Sequence, residues 1–391
     1  MNKDTTNSEH MQITSRVDLP KDVTRKPDLM TTSSQIRKCS RCVMPETVPG
    51  IIFDEDGVCS FCREYVDREC RDEAELKQLT GESQTLANRF DCIVPLSGGR
   101  DSTFVLHAAV KRYGLRVLAV NYDNEFRVDQ ALVNMQNACR RLEVELLIVR
   151  SRRNIASKIV RASVRAALPY GPAAITGDLC DACVYGYTSA VYRAAERYQT
   201  PLILWGNSSI ERTDQMRGAL AIERAGLARR EKLLNLQYHK AQFYGLLQRH
   251  EFPVPGNRVL SRKPARLRNR TIREVSLFDY LPWDREAIKQ TIARELGWRK
   301  PAGHASTWRI DCKLHVLMNY CFLRQLGCTK DCFGYCNMIN GGQMSRHEAL
   351  EQEEQTAATS EQDALKLLRS DMALSESELA PIASCAAPTR R

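Results

Sequence analysis

From residue 91 onward the chain switches repeatedly between two periods of apolar and polar residues. The short apolar runs DCIVPL, LRVLAVNY, VELLIVR and PLILWG predict buried strands. Between and before them, STFVLHAAVKRYG, VDQALVNMQNACRRL, ASKIVRASVRAAL and ACVYGYTSAVYRAAERY carry apolar residues at helical spacing, the first stopping at Gly114. This alternation predicts an α/β fold, a doubly wound and mostly parallel sheet with helices on both faces. Such sheets take ligands beyond the C-terminal ends of their strands. A linking helix is expected between Asp72 and Asn88. Residues 1–37 are polar and aperiodic, and read as a disordered arm. Residues 351–391, rich in Glu, Gln, Ala and Ser, read as a polar tail with a frayed helix around Ala364–Leu368.

Composition adds limits. The 391 residues are 27% charged and 43% hydrophobic, which excludes a mainly disordered chain. No run of about 18 apolar residues suggests a membrane span. The first residues lack the apolar core of a secretion signal, so a cytoplasmic location is expected. Fifty-seven Lys and Arg against forty-seven Asp and Glu give +10, which favours an anionic partner without choosing among nucleotide, sugar phosphate and RNA. Seven basic residues from Arg258 to Arg273, with no acid among them, suit a tRNA backbone, a sugar diphosphate or a solvated helix face.

Fifteen cysteines in a chain with no secretion signal point to metal ligation or thiol chemistry rather than disulfides. Cys39-x2-Cys42 and Cys59-x2-Cys62, sixteen residues apart, predict a zinc ribbon over 38–70 with a closed four-thiolate shell, so the zinc is structural. A cysteine-rich turn without metal is the other reading. Cys180, Cys183 and the distant Cys312 form a second set, open to a metal, a cluster, reactive thiols or inert packing. Cys328, Cys332 and Cys336 would share a helical stripe, but Gly334 argues against a continuous helix, and packing is the favoured reading.

The first strand runs into Ser97-Gly98-Gly99-Arg100-Asp101-Ser102, where a helix begins. Two glycines let the backbone approach a ligand, and the helix start offers N–H groups to an anion. Ser97 and Ser102 add hydroxyls. Asp101 would repel phosphate, and makes sense mainly as a ligand for a bridging Mg²⁺. A tight turn with Ser102 as cap is the plainer reading. Asp123 ends the second strand, where the plain reading is a solvated loop carboxylate. Gly206 and Asn207 end the later strand, where the glycine lets the backbone close over a ligand or makes a turn.

The loop resembles the SGGxDS signature of the PP-loop ATP pyrophosphatases. That resemblance implies ATP split between its α- and β-phosphates, an adenylated carbonyl or amide oxygen, and displacement of AMP by nitrogen or sulfur. Arg100 stands where Lys is frequent among relatives, and its fork can grip phosphate. CSRCVMPETVPGIIFDEDGVCSFC, FDCIVPLSGGRDS, GDLCDAC, PLILWGN and NMINGGQMSRHEAL follow in that order. Together they resemble the N-acetyl sugar amidotransferase family of surface-polysaccharide pathways (lipopolysaccharide among them). The similarity covers roughly residues 38–350.

The family implies an ATP pyrophosphatase domain over 85–300 and an extension over 301–350 completing the active site. It implies ATP, Mg²⁺ and Zn²⁺ as cofactors, an N-acetylated sugar as substrate, and a separate glutamine amidotransferase supplying ammonia. Asp101, Arg100, Cys183 and Cys312 are the expected catalytic group; Ser97, Gly98, Gly99, Arg100, Asp101, Ser102, Asp123, Gly206 and Asn207 the nucleotide contacts. A trio such as Cys180, Cys183 and Cys312 is also the ligand set of iron–sulfur sulfur-transfer enzymes of the superfamily. It keeps open a [4Fe–4S] cluster and thiolation of tRNA or a small metabolite. A nucleotide-binding module without catalysis is a third reading, and a homodimer is compatible with all three.

Overall fold

The four apolar runs pair in one sheet, joined by a fifth strand. In the computed structural model, which describes residues 36–84, 88–151, 154–168, 171, 172, 175, 179–211, 216, 272–307 and 309–383, the strands are β1 (Cys92–Pro95), β2 (Val117–Asp123), β3 (Glu145–Arg150), β4 (Leu202–Trp205) and β5 (Arg273–Ser276). All neighbours are parallel, in the order β3-β2-β1-β4-β5. Cys92 of β1 lies opposite Val117 of β2 on one side and Leu202 of β4 on the other. The period-two pattern sorts side chains cleanly. Cys92, Val94, Val117 and Ala119 enter the core on one face; Ile93, Leu118 and Val120 enter a separate core on the other. Both faces are therefore covered, as a parallel sheet requires.

Helix α1 (Ser60–Arg63) is one turn closing the second cysteine pair. The linking helix α2 (Glu73–Ser83) is shorter than Asp72–Asn88; Asp72 caps it by accepting from Ala74 N at 2.8 Å. Helices α3 (Arg100–Lys111) and α4 (Asp129–Leu142) lie on one face of the sheet and α6 (Asp181–Tyr198) on the other, with α5 (Ile155–Ala167) packed against α6. α6 runs so close to β2 that a Cβ on Gly186 would overlap the Tyr122 ring. Helix α7 (Arg285–Leu296) packs on α3 and α4, begins at an Asp284 cap and stops at Gly297 in the left-handed region. Strand β5 has no apolar run to announce it: Arg273-Glu274-Val275-Ser276 buries only Val275. The basic run preceding it lies outside the described residues apart from Arg273, which pairs with Glu82.

Helices α8 (Leu314–Leu326), α9 (Asp331–Asn340), α10 (Arg346–Ser370) and α11 (Glu376–Ala383) follow. The polar tail expected over 351–391 is instead mostly helix through Ala383. α10 is 25 residues long, capped by Ser345, whose hydroxyl accepts from Glu348 N at 3.1 Å. Its buried positions are Ala349, Glu353, Ser360, Ala364, Leu367 and Leu368, and they pack towards α8. The stripe is at helical spacing, but it is built largely of Ala, Ser and Glu, so its hydrophobic signal is faint. Glu353 is stabilised in the core by accepting from Thr329 N at 2.7 Å. Leu368 is fully buried. Leu368→Ala should therefore cost about 2–5 kcal/mol in denaturant unfolding, whereas a loose tail would leave stability unchanged. Among the described residues, no helix is long and apolar enough to cross a membrane.

Candidate active site

The strand order reverses direction on either side of β1, since β2 and β4 flank it. This is the crevice where doubly wound sheets place ligands. A cavity of about 450 Å³ opens there. Its floor is the loop Ser97–Ser102, which leaves β1 and enters α3.

The loop is held by bonds that its sequence makes possible. Gly98 has φ +82, and a Cβ there would strike the carbonyl of Ala131 in α4. Only glycine fits. Its own carbonyl accepts from Trp298 Nε1 at 3.1 Å and Asn134 Nδ2 at 3.2 Å. Gly99 N donates to Ser97 Oγ at 3.2 Å, and the Ser97 and Ser102 hydroxyls lie 3.1 Å apart. The first turn of α3 then faces the cavity with the positive end of its dipole. Gly206, at the end of β4, passes close to that turn: a Cβ there would lie 3.2 Å from Val105 Cγ2 and 3.4 Å from the Asp101 carbonyl carbon. Asn207 is exposed at the rim.

Arg100 does not reach out as a phosphate clamp. It is buried, and its Nε and Nη2 donate to the two carboxylate oxygens of Asp101 at 2.8 and 3.1 Å. Nη1 donates to Thr307 Oγ1 at 3.0 Å, and the guanidinium stacks 4.7 Å from the centre of the Trp283 ring. Trp283 Nε1 also donates to Asp101, at 3.2 Å. A desolvated guanidinium keeps such partners, because leaving them would strand its buried charge unpaired. Asp101 is thereby fixed on the cavity wall.

Asp123 is likewise engaged elsewhere. It accepts from Glu125 N at 3.0 Å and Arg150 Nε at 2.8 Å, and lies outside the cavity lining. Its neighbour Asn124 takes the place facing the cavity. Asn124 Nδ2 is 3.4 Å from Cys183 Sγ and 3.7 Å from Cys312 Sγ. Cys183 stands in the first turn of α6. Cys312 arrives from far along the chain because Val128 N donates to the Asp311 carbonyl and Lys313 N to that of Phe126, at 3.1 and 2.7 Å. Cys180 immediately precedes α6 and lines the same cavity. Burial pushes the Cys183 thiol up to about 12 and raises Cys312 as well.

Several cavity residues carry no sequence signature. Glu211, on a 3₁₀ turn (Ser209–Glu211), pairs with Arg309 at 3.1 Å; burial raises its carboxyl, and Arg309 opposes the shift. Arg309 holds a left-handed φ of 47, a strained conformation for a residue with a side chain. Lys330, at the start of α9, faces the cavity, and burial lowers its ammonium. Tyr187 and Trp205 meet edge-on at 6.0 Å and make an aromatic wall. Asp311, next to Cys312 in the chain, also lines the cavity and lies near Gly99. His304 is exposed and outside the lining.

The N-terminal cysteines converge as the spacing predicts. The sulfurs of Cys39, Cys42, Cys59 and Cys62 all lie within 4.8 Å of one another, buried. Cys42 and Cys59 are 3.7 Å apart, and Cys39 and Cys62 are 4.0 Å apart. Zn–S bonds of about 2.3 Å imply a tetrahedral edge of about 3.8 Å, so the set fits zinc. Cys39 Sγ accepts from Cys42 N at 3.4 Å and Cys59 N at 3.2 Å, the amide bonds that stabilise a thiolate on a turn. The third cysteine group divides. Cys332 and Cys336 both lie in α9, which is continuous through Gly334, and Cys328 precedes it. Cys336 approaches this cluster, with Sγ 3.9 Å from Cys62 Sγ, where packing was the favoured reading.

No protein-family model matches the chain. An uncharacterized protein of Methanocaldococcus jannaschii is 26% identical over 116 residues, 29% of this chain and 42% of that protein. The chain thus spans less than half the length of this relative. Two solved structures align at 12% identity and a TM-score of 0.35. NMN synthetase from Francisella tularensis does so over 74% of this chain and 93% of its own. The U34-tRNA thiolase from Methanococcus maripaludis with its [4Fe–4S] cluster does so over 83% and 87%.

Proposed function

We propose that this chain is an ATP pyrophosphatase-type, AMP-forming enzyme that adenylates the amide oxygen of an N-acetylated sugar or sugar nucleotide and replaces that oxygen with nitrogen from ammonia. The observation that carries the ATP step is the Ser97–Ser102 loop, set at the strand-order reversal and opening on a cavity with Asp101 in its wall. The loop amides and the start of α3 would receive the phosphates. Asp101 would hold Mg²⁺; Asp311 also lines the cavity, with its carboxylate beside Gly99. Such an ion supplies charge neutralisation between phosphates. Arg100 and Trp283 position Asp101. Lys330 and Arg309 would face the remaining anionic groups, and the Tyr187–Trp205 wall offers a surface for a ring.

In the reaction the amide oxygen attacks the α-phosphorus and pyrophosphate leaves. Ammonia then attacks the activated carbon, AMP departs with the former amide oxygen, and protons are released. The family resemblance supports the sugar substrate and a separate glutamine amidotransferase as the ammonia source. Incubation with ATP, ammonia and an N-acetylated sugar nucleotide should yield AMP, pyrophosphate and a product in which NH has replaced O by mass spectrometry. Release of ADP and phosphate would overturn the assignment.

A second reading shares the ATP step and is favoured by one contact set, Asn124 bridging Cys183 and Cys312. Sulfur transfer to tRNA or a small metabolite would use those thiols with Cys180, as cluster ligands or as a persulfide carrier. Anaerobically purified protein containing iron and sulfide, with a product that gains sulfur, would replace the nitrogen reading by this one.

A further inference from the structure

Five thiols, rather than four, meet at the N-terminal cysteine cluster. Cys336 is buried on α9, with its sulfur 3.9 Å from that of Cys62. Asn340, one turn later, fixes this approach. Its Nδ2 donates to the Cys336 carbonyl at 2.8 Å, to Cys62 Sγ at 3.2 Å and to Cys336 Sγ at 3.5 Å. Cys336 therefore stands beside the set Cys39, Cys42, Cys59 and Cys62 as a fifth thiol, against Cys62.

We propose that Cys336 is an alternative zinc ligand: the ion is held by Cys42, Cys59, Cys62 and either Cys39 or Cys336. Zinc has no geometric preference from its d-electrons and accepts any four thiolates at tetrahedral spacing. When Cys336 enters, its thiol gives up a proton and the departing Cys39 thiolate takes one up. The exchange needs no oxidant. A detaching ion would be recaptured by the spare thiol before it escapes, and zinc bound through Cys336 would tie α9 covalently to the N-terminal unit. This inference is independent of the ATP chemistry.

Metal analysis tests it. Wild type should carry one zinc, and Cys39→Ser should still carry close to one. Cys39→Ser/Cys336→Ser should carry little or none. Equal loss of zinc from Cys39→Ser and from the double variant would overturn the proposal, as would a wild type free of metal. A second measurement covers the case in which Cys39→Ser does not fold. Cys336→Ser keeps the shape and a hydrogen-bond donor but removes the thiolate. It should release zinc to a chromophoric chelator about tenfold faster than wild type. Cys332→Ser, one turn earlier in the same helix, should not change the rate. An unchanged rate in Cys336→Ser would mean that the residue acts only as a donor, and the proposal would fail.

Discussion

Gly98→Ala is expected to weaken binding of a non-hydrolysable ATP analogue with Mg²⁺, and to lower AMP formation, by roughly a hundred- to a thousandfold, the scale on which misplacing backbone donors acts. Two effects combine. The residue has φ +82, which a side chain resists, and the new Cβ would collide with the Ala131 carbonyl, which belongs to a helix and cannot move aside freely. The loop must shift towards the cavity, and its amides leave the positions set by Trp298 and Asn134. Gly114→Ala separates the two effects. Gly114 has φ +62 but nothing within 4 Å of an added Cβ. It should cost only about 1 kcal/mol of stability and leave nucleotide binding intact. Calorimetric titration of both variants would check this, and wild-type affinity in Gly98→Ala would exclude the loop as the phosphate site.

Cys59→Ser/Cys62→Ser should remove zinc outright, because only Cys39, Cys42 and Cys336 remain. Apparent zinc-binding energies of folding-coupled sites are about 10–16 kcal/mol, far more than the small unit around the cysteines could recover from its own apolar burial. The damage should extend beyond the ribbon. Arg346 at the start of α10 donates to the carbonyls of Cys39 and Cys42 at 2.9–3.2 Å, and Thr47 Oγ1 donates to the Leu326 carbonyl at the end of α8. The C-terminal helices are thus docked on the cysteine unit. Thermal melting with parallel metal analysis should show zinc loss together with a large drop in midpoint. Unchanged melting would show that the four cysteines are held by packing alone.

The parts legible in the sequence are those with a strong local signature. β1, the glycine loop and α3 follow from an apolar run, two glycines and a helical stripe, all within twenty residues. The Cys39–Cys62 group follows from paired turns whose sulfurs must face inward. The illegible parts depend on long-range placement. Asp123 is the acid that the strand end offers, yet two arginines and a turn amide claim it, and its neighbour Asn124 faces the cavity instead. Arg100 had the charge for phosphate, but Trp283 and Thr307, distant in sequence, supply a site for its guanidinium. Glu211 and Lys330 become cavity residues only when a 3₁₀ turn and α9 are folded against the sheet. In α10, small and polar residues make the buried stripe, so helical spacing was present without the hydrophobic contrast that would reveal it.

Helix α9 has one more consequence. Lys330 looks into the cavity from its first turn, and Cys336 touches the thiol cluster about two turns further on. At about 1.5 Å per residue these positions are only some 9 Å apart along a stiff rod. A rod cannot tilt at one end alone. Ligation of a metal through Cys336 would then be felt at Lys330, so the thiol cluster would bear on the cavity as well as anchor the fold.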